Sequence, residues 1–356
     1  MPRDALLPIA ALLVVVATLS PASVALVSPP VHEVDLPCDE LAAAPPAQGA
    51  LCGTWDRRAD LPTGAREGLG LAWLEVAGRA LAFGGRDANG APAGDLWSYD
   101  PGANAWTQLA SGPPRADAAF VADEASNVAF LFGGRDATGP RQDVWRFDYA
   151  ANTWTPLAPD AASGPSPRYG MAAAWDQTRA RITVFGGTDG AQTFGDFWSL
   201  VPGSATWTAL AGGPAARRFP NAVWDQARQG LIFQGGEAAD GAELADAWFF
   251  PTVQQAWSRM PDASPRARGA AAWDFNHAFL HVFGGVTGGV ASDESHLLIP
   301  SRELWLTETD LPSARTGAAG AYDLNGRVCL VAGGVTATGP TAEFWAFTPA
   351  TWAAAF

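Results

Sequence analysis

The sequence predicts an all-β fold: a six-bladed β-propeller, four antiparallel strands per blade, closed by a terminal strand. Three observations predict it. A glycine pair recurs six times, as Gly84-Gly85, Gly133-Gly134, Gly186-Gly187, Gly235-Gly236, Gly284-Gly285 and Gly333-Gly334, with first glycines 49, 53, 49, 49 and 49 residues apart. An arginine stands eighteen residues before each pair: Arg66, Arg115, Arg168, Arg217, Arg266 and Arg315. An acidic residue and then a Trp follow most pairs, as Asp95/Trp97, Asp143/Trp145, Asp196/Trp198, Asp246/Trp248 and Glu343/Trp345. A period near 50 residues marks units that bury their faces only by stacking on neighbours.

Each repeat supplies four strands. The second strand is the apolar run that ends at the glycines, for example Val128–Phe132, Ile182–Phe185, Leu231–Phe233 and Val328–Val331. Apolar residues on both of its faces predict cover on both sides. A strand rich in small residues precedes it, as in Met171–Trp175 and Ala270–Trp273, across tight polar turns such as Asp176–Arg179, Asp225–Arg228, Asp274–His277 and Asp323–Arg327. That pair reads as a hairpin. The third strand carries the first Trp. In four repeats a second Trp follows nine residues later, at Trp106, Trp154, Trp207 and Trp257, after turn-forming residues such as Asp100-Pro101-Gly102. This is a second hairpin. In the fifth repeat His296 takes the first Trp position, which puts Trp305 nine residues on; the sixth shortens that spacing to seven, Trp345 to Trp352. The repeats run near 66–109, 115–157, 168–210, 217–260, 266–308 and 315–356.

The Arg, the Gly-Gly that ends an apolar strand and the Asp-x-Trp…Trp pair resemble the kelch family of β-propellers over residues 52–356. All 22 basic residues are Arg, which with heavy Ala and Gly looks like a GC-rich bacterial coding sequence; together with the leader at residues 1–25, the expectation is a bacterial, exported, single-domain member. Kelch rings are commonly closed by a strand from one terminus joining a blade built from the other. The resemblance therefore implies that Cys52–Arg58 pairs near Phe344–Phe347. The alternative is that Thr351–Phe356 fills that place.

Residues 1–25 read as a secretory signal peptide: Arg3, an apolar run from Ala5 to Leu19, then Ser23-Val24-Ala25 as a small-x-small cleavage site. The expected location is secreted, periplasmic or cell-surface. No later stretch reaches the length of a membrane span. Residues 26–51 form a Pro/Ala-rich segment, and a Cys38–Cys52 disulfide is expected around it. Such a loop would stabilise by about 3 kcal/mol on the chain-entropy model. Cys329, in an apolar strand, reads as an inert core thiol. The formal net charge of −14 argues against nucleic acid and anionic membranes.

Residues shared by every repeat, the six arginines and the glycine pairs, read as scaffold. The unshared loop residues at one channel mouth are the candidate ligand-binding set: Arg86, Asp87, Arg135, Asp136, Asp189, Arg218 and Glu237. Arginine forks and carboxylates around a mouth suit a polar or anionic ligand. No phosphate loop, nucleophile elbow or metal motif is present, so neither cofactor nor metal is expected. Kelch-type copper oxidases need a Tyr–Cys crosslink, and the repeat frame puts no Tyr near Cys329. The expected function is a protein- or glycan-binding module. The alternative is a channel-sited enzyme acting on a sugar acid, similar to kelch-type sialic-acid epimerases, with Glu237, Asp189 and the arginines as acid/base candidates.

Overall fold

The computed structural model describes residues 53–157, 163–204 and 206–349. The expected signal peptide, the Cys38–Cys52 pair and the Thr351–Phe356 strand lie outside them. The described residues form six four-stranded antiparallel sheets arranged as a propeller. In blade 1 the strands are Gly70–Leu74, Arg79–Phe83, Leu96–Asp100 and Ala105–Leu109, paired in chain order from the channel outward. Blades 2 to 5 follow the same order, beginning at Ala119, Ala172, Asn221 and Ala270.

Blade 6 draws its strands from both parts of the chain. Ala319–Asp323, Val328–Ala332 and Phe344–Pro349 supply three. Gly53–Arg57 adds the outer one, with Trp55 opposite Phe347 and Arg57 opposite Trp345. The N-terminal strand thus closes the ring. Blade 5 departs from the others: its middle hairpin, Phe279–Thr287 and Val290–Ile299, runs on past the glycine pair across a register shift. His296 sits opposite Val282 there, as Trp198 sits opposite Val184 in blade 3.

The core is divided among the six blade interfaces. Ala72, Leu81 and Phe83 of blade 1 pack with Phe120, Leu131 and Phe147 of blade 2. The ring closes with Leu71 and Trp73 against Leu330 and Phe344 of blade 6. Tryptophans in or beside the outer strands of five blades tie them to the preceding blade through the indole N–H. Trp106 donates to the Ala59 carbonyl (2.7 Å), Trp154 to Ala110 (2.8 Å), Trp305 to Pro261 (2.9 Å) and Trp55 to Thr309 (3.2 Å).

The glycine pair has a steric and a hydrogen-bonding cause. Both glycines have positive φ in every repeat. A Cβ on the first would lie 2.1–2.8 Å from the backbone carbonyl of the next blade's repeated arginine. The second glycine's N–H donates to that same carbonyl, from Gly85 to Arg115 (2.8 Å) round to Gly334 and Arg66 (2.8 Å). Only glycine permits both the left-handed backbone and this approach. Among the described residues no helix is long and apolar enough to cross a membrane.

Candidate functional site

The six repeated arginines are occupied within their own blades. Each pairs with the acidic residue two before the third-strand Trp (His296 in blade 5): Arg66–Asp95 (3.3 Å), Arg115–Asp143 (2.5 Å), Arg168–Asp196 (2.5 Å), Arg217–Asp246 (2.6 Å), Arg266–Glu294 (2.8 Å) and Arg315–Glu343 (2.6 Å). The Trp two residues on donates its indole N–H to that acid, as Trp198 does to Asp196 (2.7 Å) and Trp248 to Asp246 (2.6 Å). In blade 5, His296 Nε2 lies 3.3 Å from Glu294 and 2.5 Å from Arg266. His296 therefore reaches the same acid that Trp reaches elsewhere. Contact with His296, opposed by burial and aided by Arg266, holds Glu294 down to about 2. Burial raises Asp196 and Asp246, but the guanidinium and indole donors outweigh it and hold both below the usual carboxylate range.

Two residues beyond each arginine, the chain forms a closed circle around the channel. The N–H of each member donates to the carbonyl of the one before: Asp117 to Gly68, Gly170 to Asp117, Phe219 to Gly170, Arg268 to Phe219, Gly317 to Arg268 and Gly68 to Gly317, at 2.6–3.0 Å. All six have positive φ. Glycine is the undemanding residue for that geometry, yet Asp117, Phe219 and Arg268 hold three of the places, at φ 54°, 54° and 58°. Such strain persists where surroundings enforce it, and it concentrates at functional sites.

Those three side chains organise the mouth, a depression of about 130 Å³. Asp117 accepts from Arg86 (3.3 Å) and from Arg135 Nε (2.9 Å) and a terminal nitrogen (2.8 Å). Arg86 also pairs with Glu67 (2.6 Å). Arg218 and Arg268 hold the two oxygens of Glu237, at 2.7 and 3.0 Å. The Arg268 guanidinium lies 3.4 Å from the Phe219 ring centre, and that of Arg135 lies 4.8 Å from the Tyr169 ring centre. Both are cation–π contacts. Burial pushes the Asp117 carboxyl up to about 6, against the pull of Arg86 and Arg268.

The predicted candidates separate into two groups. Arg86, Arg135, Arg218 and Glu237 meet at this mouth, because the residue after each glycine pair bridges to the residue after a repeated arginine, as in Glu67–Arg86 and Arg218–Glu237. Asp87, Asp136 and Asp189 serve their own turns. Asp87 accepts from the Asn89 and Ala91 amides (both 2.9 Å), Asp189 from Ala191 (2.8 Å) and Gln192 (2.7 Å), and Asp136 from Thr138 (2.8 Å) and Arg141. Hydrogen bonds from those backbone amides hold Asp87 and Asp189 below the usual range. Sequence reasoning missed Glu67, Asp117, Tyr169, Phe219 and Arg268. The legible clue was the loss of glycine two residues after Arg115, Arg217 and Arg266.

One expectation is corrected. The repeat frame separated Cys329 from every Tyr, but Tyr322 stands directly opposite it in the first hairpin of blade 6. Both are buried, and burial pushes the thiol well above its ordinary range. No group of three or more His, Cys, Asp or Glu among the described residues could hold a metal.

The KLHDC2/KLHL20/DRC7 Kelch-repeats domain model matches residues 70–285. The chain is also 38% identical over 132 residues to the human multiple epidermal growth factor-like domains protein 8, a match spanning 34% of this chain and 4% of that protein.

Proposed function

This chain belongs to the kelch-repeat family, and from that premise we propose that it is a protein-binding module whose mouth engages carboxylate-bearing polypeptide. The kelch propeller fold itself suggests protein binding. One observation carries the finer reading. Four guanidinium groups (Arg86, Arg135, Arg218, Arg268) converge there on three carboxylates (Glu67, Asp117, Glu237), leaving one net positive charge in a chain of formal charge −14. Arg135 and Arg218 keep 31% and 28% of their side chains exposed, enough to present donors outward. Such forks bind carboxylate in a bidentate geometry. The sugar-acid enzyme reading has less support, since Asp189 caps a turn and Glu237 is held by two arginines.

The test is selection of peptides from a random display library against the intact protein. Enriched peptides should carry acidic residues or depend on a free C-terminal carboxylate. Their affinity should fall at least tenfold with Arg135→Ala plus Arg218→Ala, in protein that circular dichroism shows to be folded at the assay temperature, and should weaken with salt. Binders indifferent to both substitutions would refute the mouth as the site. Export is part of this proposal and rests on residues 1–25; N-terminal sequencing of secreted material should begin near Leu26.

A further inference from the structure

The mouth is charged on one side and apolar on the other. The residue after each glycine pair stands at the same place in its blade, bridged to the residue after the repeated arginine. Around the ring these places hold Arg86, Arg135, Thr188, Glu237, Val286 and Val335. Blades 5 and 6 thus carry valine, half-buried, where blades 1, 2 and 4 carry members of the ion pairs. The register that turns Arg86, Arg135 and Glu237 onto members of the circle is shared by Val286 and Val335. Their bridge partners, Ala267 and Thr316, are uncharged. Arg268, the charged circle member of blade 5, turns away from them to Phe219 and Glu237 of blade 4. The circle member of blade 6 is Gly317, which has no side chain to offer.

Both valines stand on hydrogen-bonded hairpins. Val286 lies opposite Ala291 in the blade 5 hairpin that runs on past the glycines, and Val335 lies opposite Pro340 in a short hairpin of blade 6. At the tip of the first, the Gly288 and Gly289 N–H groups donate to Glu243 of blade 4 (2.8 and 3.0 Å). The neighbouring hydroxyls are engaged locally: Thr287 donates to the Pro265 carbonyl (3.2 Å) and Thr336 to the Gly339 carbonyl (3.0 Å). The depression itself is lined by Ala118, Met171, Pro220, Gly269 and Ala318 below the charged rim. A wall already ordered in this way loses little freedom when a ligand meets it. Its contribution comes from apolar surface withdrawn from water.

We propose that the polypeptide bound at this mouth carries an aliphatic side chain next to its acidic residue, and that Val286 and Val335 select it. The proposal rests on the reading of the mouth as a carboxylate site. Arg135 and Arg218, on blades 2 and 4, take the carboxylate; the aliphatic group lies against the valines of blades 5 and 6 on the facing side of the ring. In an extended segment successive side chains point to opposite sides, so adjacent residues reach both arcs. Arginine forks alone would accept any acidic segment. The valine arc offers nothing to a second charge, and burying one against it is costly. It therefore discriminates against polyacidic chains as well as favouring acidic–aliphatic ones.

The experiment is fluorescence anisotropy of the full chain with labelled peptides on one Gly/Ser background. Each carries one Glu, with Leu, Ser, Lys or a second Glu immediately before or after it. In at least one of the two orders the Leu peptide should bind about tenfold tighter than its Ser counterpart, as burial of most of a leucine side chain implies. The Glu-Glu peptide should bind no tighter than the Ser one. Val286→Thr plus Val335→Thr keeps both β-branched shapes and should bring the Leu-to-Ser ratio below about threefold, in protein that circular dichroism shows to be folded. Val335→Asp is the second variant, and it should move the preference from Leu to Lys. A Leu preference that both variants leave unchanged would overturn the proposal. Glu peptides that bind with no Leu preference in either order would overturn it and leave the carboxylate reading standing. No binding of any peptide to protein at about 1 mM would overturn both.

Discussion

Replacing His281 by Leu should destabilise the propeller far more than replacing His281 and Glu308 together. The two side chains are 1% and 0% exposed and pair at 2.8 Å between the second and outer strands of blade 5. Other blades carry Leu81, Phe130, Thr183, Ile232 or Leu330 at the His281 position, and Leu109, Leu157, Leu210 or Met260 at the Glu308 position. Blade 5 thus holds a buried ionic pair where its neighbours hold mostly apolar contacts. Removing one partner strands a buried charge and costs about 3–5 kcal/mol, while replacing both with apolar residues is about neutral or stabilising. His281→Leu should therefore lose about 3–5 kcal/mol in urea unfolding at pH 7, and His281→Leu/Glu308→Leu should recover most of it.

The same pair predicts a pH signature. Burial lowers the His281 pKa, but Glu308 and Asp274 outweigh it and raise it to about 9. The groups facing His281 are Glu308 at 2.8 Å and Asp274 at 3.9 Å, with His277 on the far side of Asp274 at 2.6 Å from it. Phe283 and Phe347 supply uncharged ring contacts. A folded pKa above the unfolded value of about 6.5 gives stability that is complete below pH 6.5 and lost as pH rises through 9. That loss is on the order of 3 kcal/mol between pH 6 and 10, measured as the wild type minus the double variant. Equal stability of single and double variants at pH 7, or a flat difference curve across that range, would refute the reasoning.

Three further outcomes follow. Gly235→Ala should destabilise by about 2–5 kcal/mol, because its Cβ would meet the Arg266 carbonyl at 2.1 Å under positive φ; Gly241→Ala, also at positive φ but with nothing within 4 Å, should lose only about 1 kcal/mol, and denaturant melts compare them. Arg217→Met strands Asp246 in a nearly closed site and should cost about 3–5 kcal/mol, largely recovered with Asp246→Leu in the same melts. Protonation of Asp117 below about 6 loosens its hold on Arg86 and Arg135, so fluorescence anisotropy should show acidic-peptide affinity rising several-fold from pH 7.5 to 5.5, an increase that Asp117→Asn abolishes.

Repetition made the scaffold legible and concealed the rest. Gly84-Gly85, Arg66 and Asp95/Trp97 could be read because five further copies repeat their spacing, and each copy meets the same steric demand from the next blade. Trp305 and His296 fell into place by the same spacing, and the structure puts them opposite Leu298 and Val282. Contacts that occur once have no such support. His281 and Glu308 are 27 residues apart in one blade, and nothing in the spacing marks them as partners. Tyr322 and Cys329 meet through hairpin register, which a frame counted from the glycines did not track.

The mouth shows why the one-off residues matter most. A circle of six backbone hydrogen bonds needs left-handed backbone at every member, so glycine alone would satisfy the fold. Asp117, Phe219 and Arg268 occupy that circle with no structural requirement for a side chain, and each is braced from a neighbouring blade: Asp117 by Arg86, with Arg135 of its own blade beside it, Phe219 by Arg268, Arg268 by Glu237. Strain that the ring does not need is retained by contacts that point side chains at the channel. Replacing all three by glycine should therefore preserve or raise stability while removing peptide binding. That combination separates a binding site from a structural collar, since a collar would lose stability with its braces.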